Sequence, residues 1–367
     1  MHRYLLEMLQ CPACGNDLRF TIEEVHGDHI ERADIRCPDC GAQYPVREGI
    51  GVFLTPDLTR HDLWEQVESG LSRYLRAHPD IEDRLLNSDP GTLAAADRLF
   101  RAMALEERGD YAAAAALEAQ AGPRLYTEEY NGAVDSQMKY LCDRLAGHGG
   151  PAGHGGVAGH GGPASHGGPA SHGGPASHGG VAGRRPVVDL ASGRCGLVER
   201  LARHLDRPIV ASDFSLRVLR RNRRYLELVG LYDRVSLLAF DARRTPFRDG
   251  SISTLTTFAG LANIEHPGDL LRELRRITSG TFYAISCFYP PEDRVNRDAI
   301  ETHGLDAFLF RDKALDLFER SGWRVEVVNV RRARALPTPR SVLLPEFGID
   351  ALPVAETTLE WCTLVAT

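Results

Sequence analysis

Residues 184–204 read RRPVVDLASGRCGLVERLARH. Pro186, Val187 and Val188 begin a buried strand, which reaches Asp189 and then a run of small residues. Leu197, Val198, Leu201 and Leu205 follow at helical spacing. A strand, a glycine-containing turn and a helix build the usual cradle for a nucleotide-like ligand, because the first helical amides point at it. Two positions where such turns carry glycine hold Ala191 and Cys195 instead. Both side chains are tolerated if φ is negative there. Gly193 keeps the centre of the turn, and Gly196 is expected to cover a shifted third position.

Working outward, 184–367 alternates strand and helix. PIVASD, VSLLAFD and STLTTFAG follow as strands; a helix over 269–276 leads to TFYAISCF, and one over 313–321 leads to WRVEVVNV, before LEWCTLVA closes the chain. This alternation predicts an α/β fold, a doubly wound, mostly parallel sheet whose last strands run antiparallel. Upstream, composition separates 1–60, with four of the eight cysteines and short β-like runs, from 61–146, which is rich in helix formers. Between the helices and the sheet, 147–183 repeat HGGPAG-like hexads. Lacking large apolar side chains, they cannot offset their chain entropy and read as a linker. Metal binding by its histidines (148, 154, 160, 166, 172 and 178) is the weaker reading.

Three acids end three successive strands: Asp189, Asp213 and Asp241. Alone, each is more often a turn or capping residue. Together they suit an adenosine-bearing cofactor with a cationic tail: Asp189 to orient an amine, Asp213 to accept both ribose hydroxyls, and Asp241 to accept from the adenine amine. A dinucleotide site is the alternative, but G-x-G-x-x-G is absent.

With VVDLASGRCG, SDFS, FDARRTPFRDGSIS and NIEHPGDLLRELRRI, residues 184–367 resemble the class I S-adenosylmethionine-dependent methyltransferases. The last two segments resemble the group containing the ubiquinone and menaquinone biosynthesis enzymes. The resemblance implies a Rossmann-like sheet and a cofactor site at Asp189, Ala191, Gly193, Cys195, Asp213, Phe214, Asp241, Ala242 and Phe258. The loop after the fourth strand faces the methyl group in that fold, which makes Asn263 a pocket residue and Glu265 or His266 a candidate general base. An ordinary capping pair before Pro267 is the plainer reading. The loop lacks the Asn/Asp-Pro-Pro-Tyr motif of amide methyltransferases. The helical segment is expected to stack on the sheet as a lid, with Tyr126 and Tyr130 over the cofactor.

Cys11-Pro-Ala-Cys14-Gly and Cys37-Pro-Asp-Cys40-Gly form two knuckles whose thiolates converge on one ion. Four thiolates suit structural tetrahedral zinc, with a rubredoxin-like iron site as the alternative. Cys142, Cys195, Cys287 and Cys362 lie apart and read as buried or pocket residues. YLLEMLQCPACGNDLRF and IRCPDCGAQYPVREGIGVFL resemble the small zinc-ribbon protein that activates tRNA, rRNA and release-factor methyltransferases.

The chain has 367 residues and a net charge of −7, with a mildly basic second half that is no nucleic-acid footprint. No apolar run is long enough to span a bilayer and the start has no signal-peptide layout, so a cytoplasmic protein without membrane or DNA partners is expected. A cytosolic setting also disfavours disulfides. The methyl acceptor stays open: the ribbon points to RNA or a translation protein, the loop after the fourth strand to a small metabolite. A non-catalytic scaffold that kept the fold is the alternative function.

Overall fold

The computed structural model describes residues 1–55, 57–58, 69–147 and 185–367. The expected boundary at residue 60 and the histidine repeat lie outside them.

Residues 1–55 carry four strands: β1 (Arg19–His26), β2 (His29–Arg36), β3 (Gln43–Arg47) and β4 (Ile50–Val52). Helices follow, α1 (Gly70–Ala77), α2 (Pro79–Asn87), α3 (Ala95–Glu107), α4 (Tyr111–Ala121) and α5 (Glu128–Leu145). The second half runs β5 (Val187–Leu190), α6 (Gly196–His204), β6 (Ile209–Asp213), α7 (Leu216–Leu228), β7 (Val235–Ala239), β8 (Ile252–Phe258), α8 (Pro267–Ile277) and β9 (Thr278–Phe288). Then come α9 (Arg294–Thr302), α10 (Asp306–Leu309), α11 (Arg311–Arg320), β10 (Val325–Ala335) and β11 (Thr357–Ala366). The sequence reading overlooked α9 and α10.

Among the described residues all eleven strands join one sheet, ordered β1-β2-β3-β4-β7-β6-β5-β8-β9-β11-β10. From β7 to β9 the strands are parallel, and β11 and β10 add antiparallel, as the alternation implied. β5, β6 and β7 are buried along their whole length, which fits strands covered by helices on both faces.

The segment 1–55 does not hang on the sheet as a separate bead. β4 pairs in parallel with β7, Gly51 opposite Leu238 and Val52 opposite Ala239. Close approach is possible because residue 51 is glycine: a Cβ there would lie 2.8 Å from a Leu238 methyl and 2.9 Å from the Met1 sulfur. One apolar core runs continuously from Met1, Leu5 and Phe53 through Phe247 to Leu271, Phe282 and Trp323. The opposite face buries Leu141 of α5, Leu201 of α6, Leu219 of α7 and Trp361 of β11.

α5 is fixed to the far side of the sheet by a polar anchor. The buried amide of Gln137 donates to the Asn329 carbonyl (2.7 Å) and accepts from the Thr363 hydroxyl (2.9 Å). α3 and α4 meet the turn after β5 through charges described below. No helix among the described residues is long and apolar enough to cross a membrane.

Candidate cofactor pocket and cysteine cluster

The strand order reverses at β5, which has β6 on one side and β8 on the other. A crevice opens at such a switch point, beyond the carboxyl ends of the strands. Here it is a cavity of about 850 Å³. Ala191, Gly193, Asp213, Phe214, Asp241, Ala242, Phe258, Asn263 and Glu265 line it, as do Tyr126 and Tyr130.

The turn after β5 departs from expectation in its backbone. Ala191 (φ 50°), Gly193 (47°) and Cys195 (67°) are all left-handed. The negative φ that would accommodate alanine and cysteine is not adopted, because the tight turn needs the left-handed region at these positions whatever residue fills them. Gly196 opens α6 and does not act as a shifted third glycine. Each non-glycine residue there costs about 1–2 kcal/mol, and neighbouring contacts offset it. The Asn222 amide donates to the Gly193 carbonyl (2.7 Å), Arg221 donates to the Arg194 carbonyl (2.9 Å), and the Cys195 amide donates to the Ser192 carbonyl (2.9 Å). Arg194 also pairs with Glu106 of α3 and Glu118 of α4, both at 3.0 Å. The Ala191 methyl is accommodated across the crevice by Gly260, where any Cβ would sit 2.7 Å from it.

Asp189 is 1% exposed and lies beneath the turn, outside the cavity lining. Its carboxylate accepts from the Thr256 hydroxyl (2.8 Å). Burial pushes its pKa up to about 7, against the Ser192 and Thr256 hydroxyls. Asp213 faces the cavity at the tip of β6 and accepts from the amides of Gly193 (3.2 Å) and Ser215 (3.0 Å). These bonds fix the carboxylate's position.

Asp241 lines the cavity as an ion-paired acid. Arg243 closes a two-pronged ion pair on it, Nε to one oxygen at 3.0 Å and Nη2 to the other at 2.8 Å. Arg243 also lies 3.6 Å from the Glu265 carboxylate. The adjacent turn, two residues long, brings the guanidinium back onto the strand-end acid, which sequence spacing does not reveal.

His266 is not brought to the cavity. It is exposed, takes a left-handed φ of 53°, and caps the start of α8 ahead of Pro267. Cys195 is fully buried beneath the turn and likewise does not line the cavity. Sequence reasoning missed Arg194, Arg243, Tyr289, Asp350 and Trp361, which do line it. Trp361 arrives because β11 runs antiparallel beside β9, placing it opposite Cys287. It stacks with Phe258 (centroids 5.9 Å apart) and meets Tyr130 edge-on (5.4 Å).

At the other end of the sheet, Cys11, Cys14, Cys37 and Cys40 bring their sulfurs within 4.8 Å of one another. Gly15 and Gly41 supply the left-handed turn (φ 77° at both) that closes each knuckle, their amides donating to Cys11 and Cys37 carbonyls. The donor set and spacing suit a soft or borderline tetrahedral cation. The knuckle side is stitched to the segment after β7. The Gln10 amide donates to Pro246 (2.7 Å), that of Phe53 to Ala239 (2.7 Å), and that of Arg248 to Met8 (2.9 Å).

Comparison with known proteins gives two separate matches. Residues 2–49 match the Trm112p-like protein model, and residues 187–280 match a methyltransferase domain model. The chain joins a Trm112p-like segment to a methyltransferase domain. It is 33% identical over 99 residues to the ubiquinone/menaquinone biosynthesis C-methyltransferase UbiE of Pseudomonas fluorescens, which covers 26% of this chain and 38% of that protein. Among solved structures it is similar to a putative methyltransferase from Bacillus halodurans (16% identity, TM-score 0.38, 50% of this chain and 91% of that one). It is also similar to the geranyl diphosphate C-methyltransferase of Streptomyces coelicolor, solved with Mg2+, geranyl diphosphate and S-adenosyl-L-homocysteine (14% identity, TM-score 0.37, 50% and 74%).

Proposed function

We propose that the protein transfers a methyl group from S-adenosylmethionine to an acceptor bound in the same cavity, and that the four cysteines hold a structural zinc ion. The observation that carries the reading is Asp213: a strand-tip carboxylate, fixed by two backbone amides, facing the cavity next to the left-handed turn. A carboxylate placed there suits a ribose diol. The bound cofactor supplies an electrophilic methyl group.

The chain's own residues bind and orient it. Backbone at Ala191 and Gly193 would approach the cofactor's amino-acid tail, while Asp189 ties β5 to β8 beneath the turn through Thr256. Asp241 and Arg243 together present an acceptor and a donor edge where the adenine would lie. Phe258 and Asn263 bound the crevice beyond β8 on the acceptor side, and Glu265 is the carboxylate in reach of a proton released there. Cys11, Cys14, Cys37 and Cys40 would hold zinc as four thiolates with no position left for water, so it would stabilise structure and take no chemical step.

Calorimetry with S-adenosylhomocysteine tests the reading. Replacing a carboxylate that accepts two hydroxyls costs about 3 kcal/mol, so Asp213→Ala should bind roughly a hundredfold more weakly. Equal affinity in the two proteins would refute the site. Binding without methyl transfer to any cell fraction would favour a scaffold instead.

A further inference from the structure

The cavity has two chemically different ends. The turn after β5 and the tips of β6 and β7 bring Asp213, Asp241, Arg194 and Arg243 to one end. At the other, α5, β9, β11 and the segment before β11 contribute an aromatic and aliphatic wall. We propose that this wall, built on Tyr130, Phe258, Tyr289 and Trp361, is the acceptor subsite, and that it takes a small, uncharged, largely apolar molecule bearing an oxygen acceptor. This rests on the methyltransferase reading above and names its missing substrate class.

Three observations carry it. The first is a donor without a partner. The indole N–H of Trp361 is buried and makes no hydrogen bond, in a residue only 2% exposed. It is the one such side-chain donor among the cavity's described lining residues. A buried donor left unpaired costs about 1–3 kcal/mol, which a ligand oxygen would recover once a turn of the ring brings the N–H, now covered, to the cavity.

Charge is the second. The described lining holds five carboxylates (Glu118, Asp213, Asp241, Glu265, Asp350) against two guanidinium groups. Both arginines are already paired with carboxylates. A phosphate or carboxylate on the acceptor would meet this net negative field without a cation to receive it, which disfavours a nucleic acid.

Closure is the third. Tyr126, just ahead of α5, donates to Asp350 at 2.5 Å and so ties the helical segment to the stretch before β11 across the cavity mouth. Tyr126 stacks on Tyr130, which meets Trp361 edge-on, so the strap continues into the wall. A volume of about 850 Å³ lies within the range of small-molecule sites, roughly 300–1,000 Å³.

The test uses the full-length protein saturated with S-adenosylhomocysteine and labelled with 15N at its indoles, the Trp361 resonance being assigned by its loss in Trp361→Phe. Three probes of similar size are titrated: 1-tetralone (neutral, one carbonyl), tetralin (neutral, no oxygen) and 1-naphthyl phosphate (anionic). Tetralone should bind best and move the Trp361 N–H resonance downfield. Trp361→Phe should weaken tetralone roughly five- to tenfold while leaving tetralin within about twofold, the loss expected for one hydrogen bond. A naphthyl phosphate affinity equal to tetralone's, displacement of tetralone by an RNA oligonucleotide, or a Trp361 resonance indifferent to all three probes would overturn the proposal. Failure to bind S-adenosylhomocysteine at the outset would instead overturn the methyltransferase reading, so the two failures are distinct. The wild-type affinities for the three probes, and the RNA competition, stand even if Trp361→Phe does not fold.

Discussion

Removing the ion from the cysteine cluster should weaken cofactor binding, because the knuckle side grips the segment that brings Asp241, Ala242 and Arg243 to the pocket. The perturbation is Cys37→Ser with Cys40→Ser, or chelation of the wild type. A segment of this size has little core of its own, and a structural zinc contributes on the order of 10 kcal/mol to folding it. Once the knuckles loosen, the bonds from Gln10 to Pro246, Phe53 to Ala239 and Arg248 to Met8 are lost, and with them the β4–β7 ladder. Each is worth about 1 kcal/mol net. Asp241, Ala242 and Arg243 lie inside the stretch those three bonds hold, and the ligand must then order it. If two to three of the bonds report on that ordering, affinity falls by about 2–3 kcal/mol, roughly 30- to 150-fold. Calorimetry with S-adenosylhomocysteine, run beside hydrogen exchange on residues 1–55, is the assay. Unchanged affinity in a sample whose first 55 residues exchange freely would refute the reasoning.

Ala191→Gly should stabilise the protein by about 1 kcal/mol in urea unfolding by relieving the left-handed strain, whereas Gly260→Ala should destabilise it and be partly rescued in the Ala191→Gly background. Equal cost of Gly260→Ala in both backgrounds would show that the two methyls do not collide. Glu106→Gln removes the buried partner of both Arg194 and Arg221, at 3.0 and 2.7 Å, and should cost about 3 kcal/mol in the same assay; a change under 1 kcal/mol would mean Glu118 suffices. His29 is buried, and burial together with His2 lowers its pKa to about 3 from 6.5. Above pH 6.5 it is neutral whether folded or unfolded, and below that the unfolded chain takes up a proton that the folded chain refuses. Wild type should therefore lose stability relative to His29→Phe by about 1.4 kcal/mol per pH unit between pH 6.5 and 5, and a pH-independent difference would remove the assignment.

Strand–turn–helix order and the three acids were legible because they rest on local signals: apolar runs, turn chemistry and spacing. The cysteine pairs were legible for the same reason. What stayed hidden depends on which strands become neighbours. LEWCTLVA reads as a strand, but nothing in it says that β11 will insert between β9 and β10 and bring Trp361 beside Phe258. Asp241 reads as a lone ligand-facing acid, and its ion pair with Arg243, which lines the cavity beside it, is not legible in the spacing. His266 looked like a candidate base by proximity in sequence to Asn263, yet the left-handed step that starts α8 leaves it exposed. The left-handed φ at Ala191 and Cys195 shows a further limit: residue type biases backbone conformation by about 1–2 kcal/mol, and a web of side-chain bonds can exceed that.

The parallel pairing of β4 with β7 also bears on how the protein stays dispersed. β7 reads Val235-Ser-Leu-Leu-Ala239 and is buried throughout, with no charge along it. Stripped of β4, it would be the last strand of a flat, apolar sheet margin, with a row of open amides and carbonyls that a second chain can pair with. The outermost strand at that end is instead β1, which carries Arg19, Glu23, Glu24 and His26 and breaks register between Ile22 and Val25. Charge and an irregular ladder make β1 a poor template for further strand addition. Residues 185–367 expressed alone would therefore expose the β7 margin and self-associate, with residues 1–55 acting in the intact chain as a guard for the sheet.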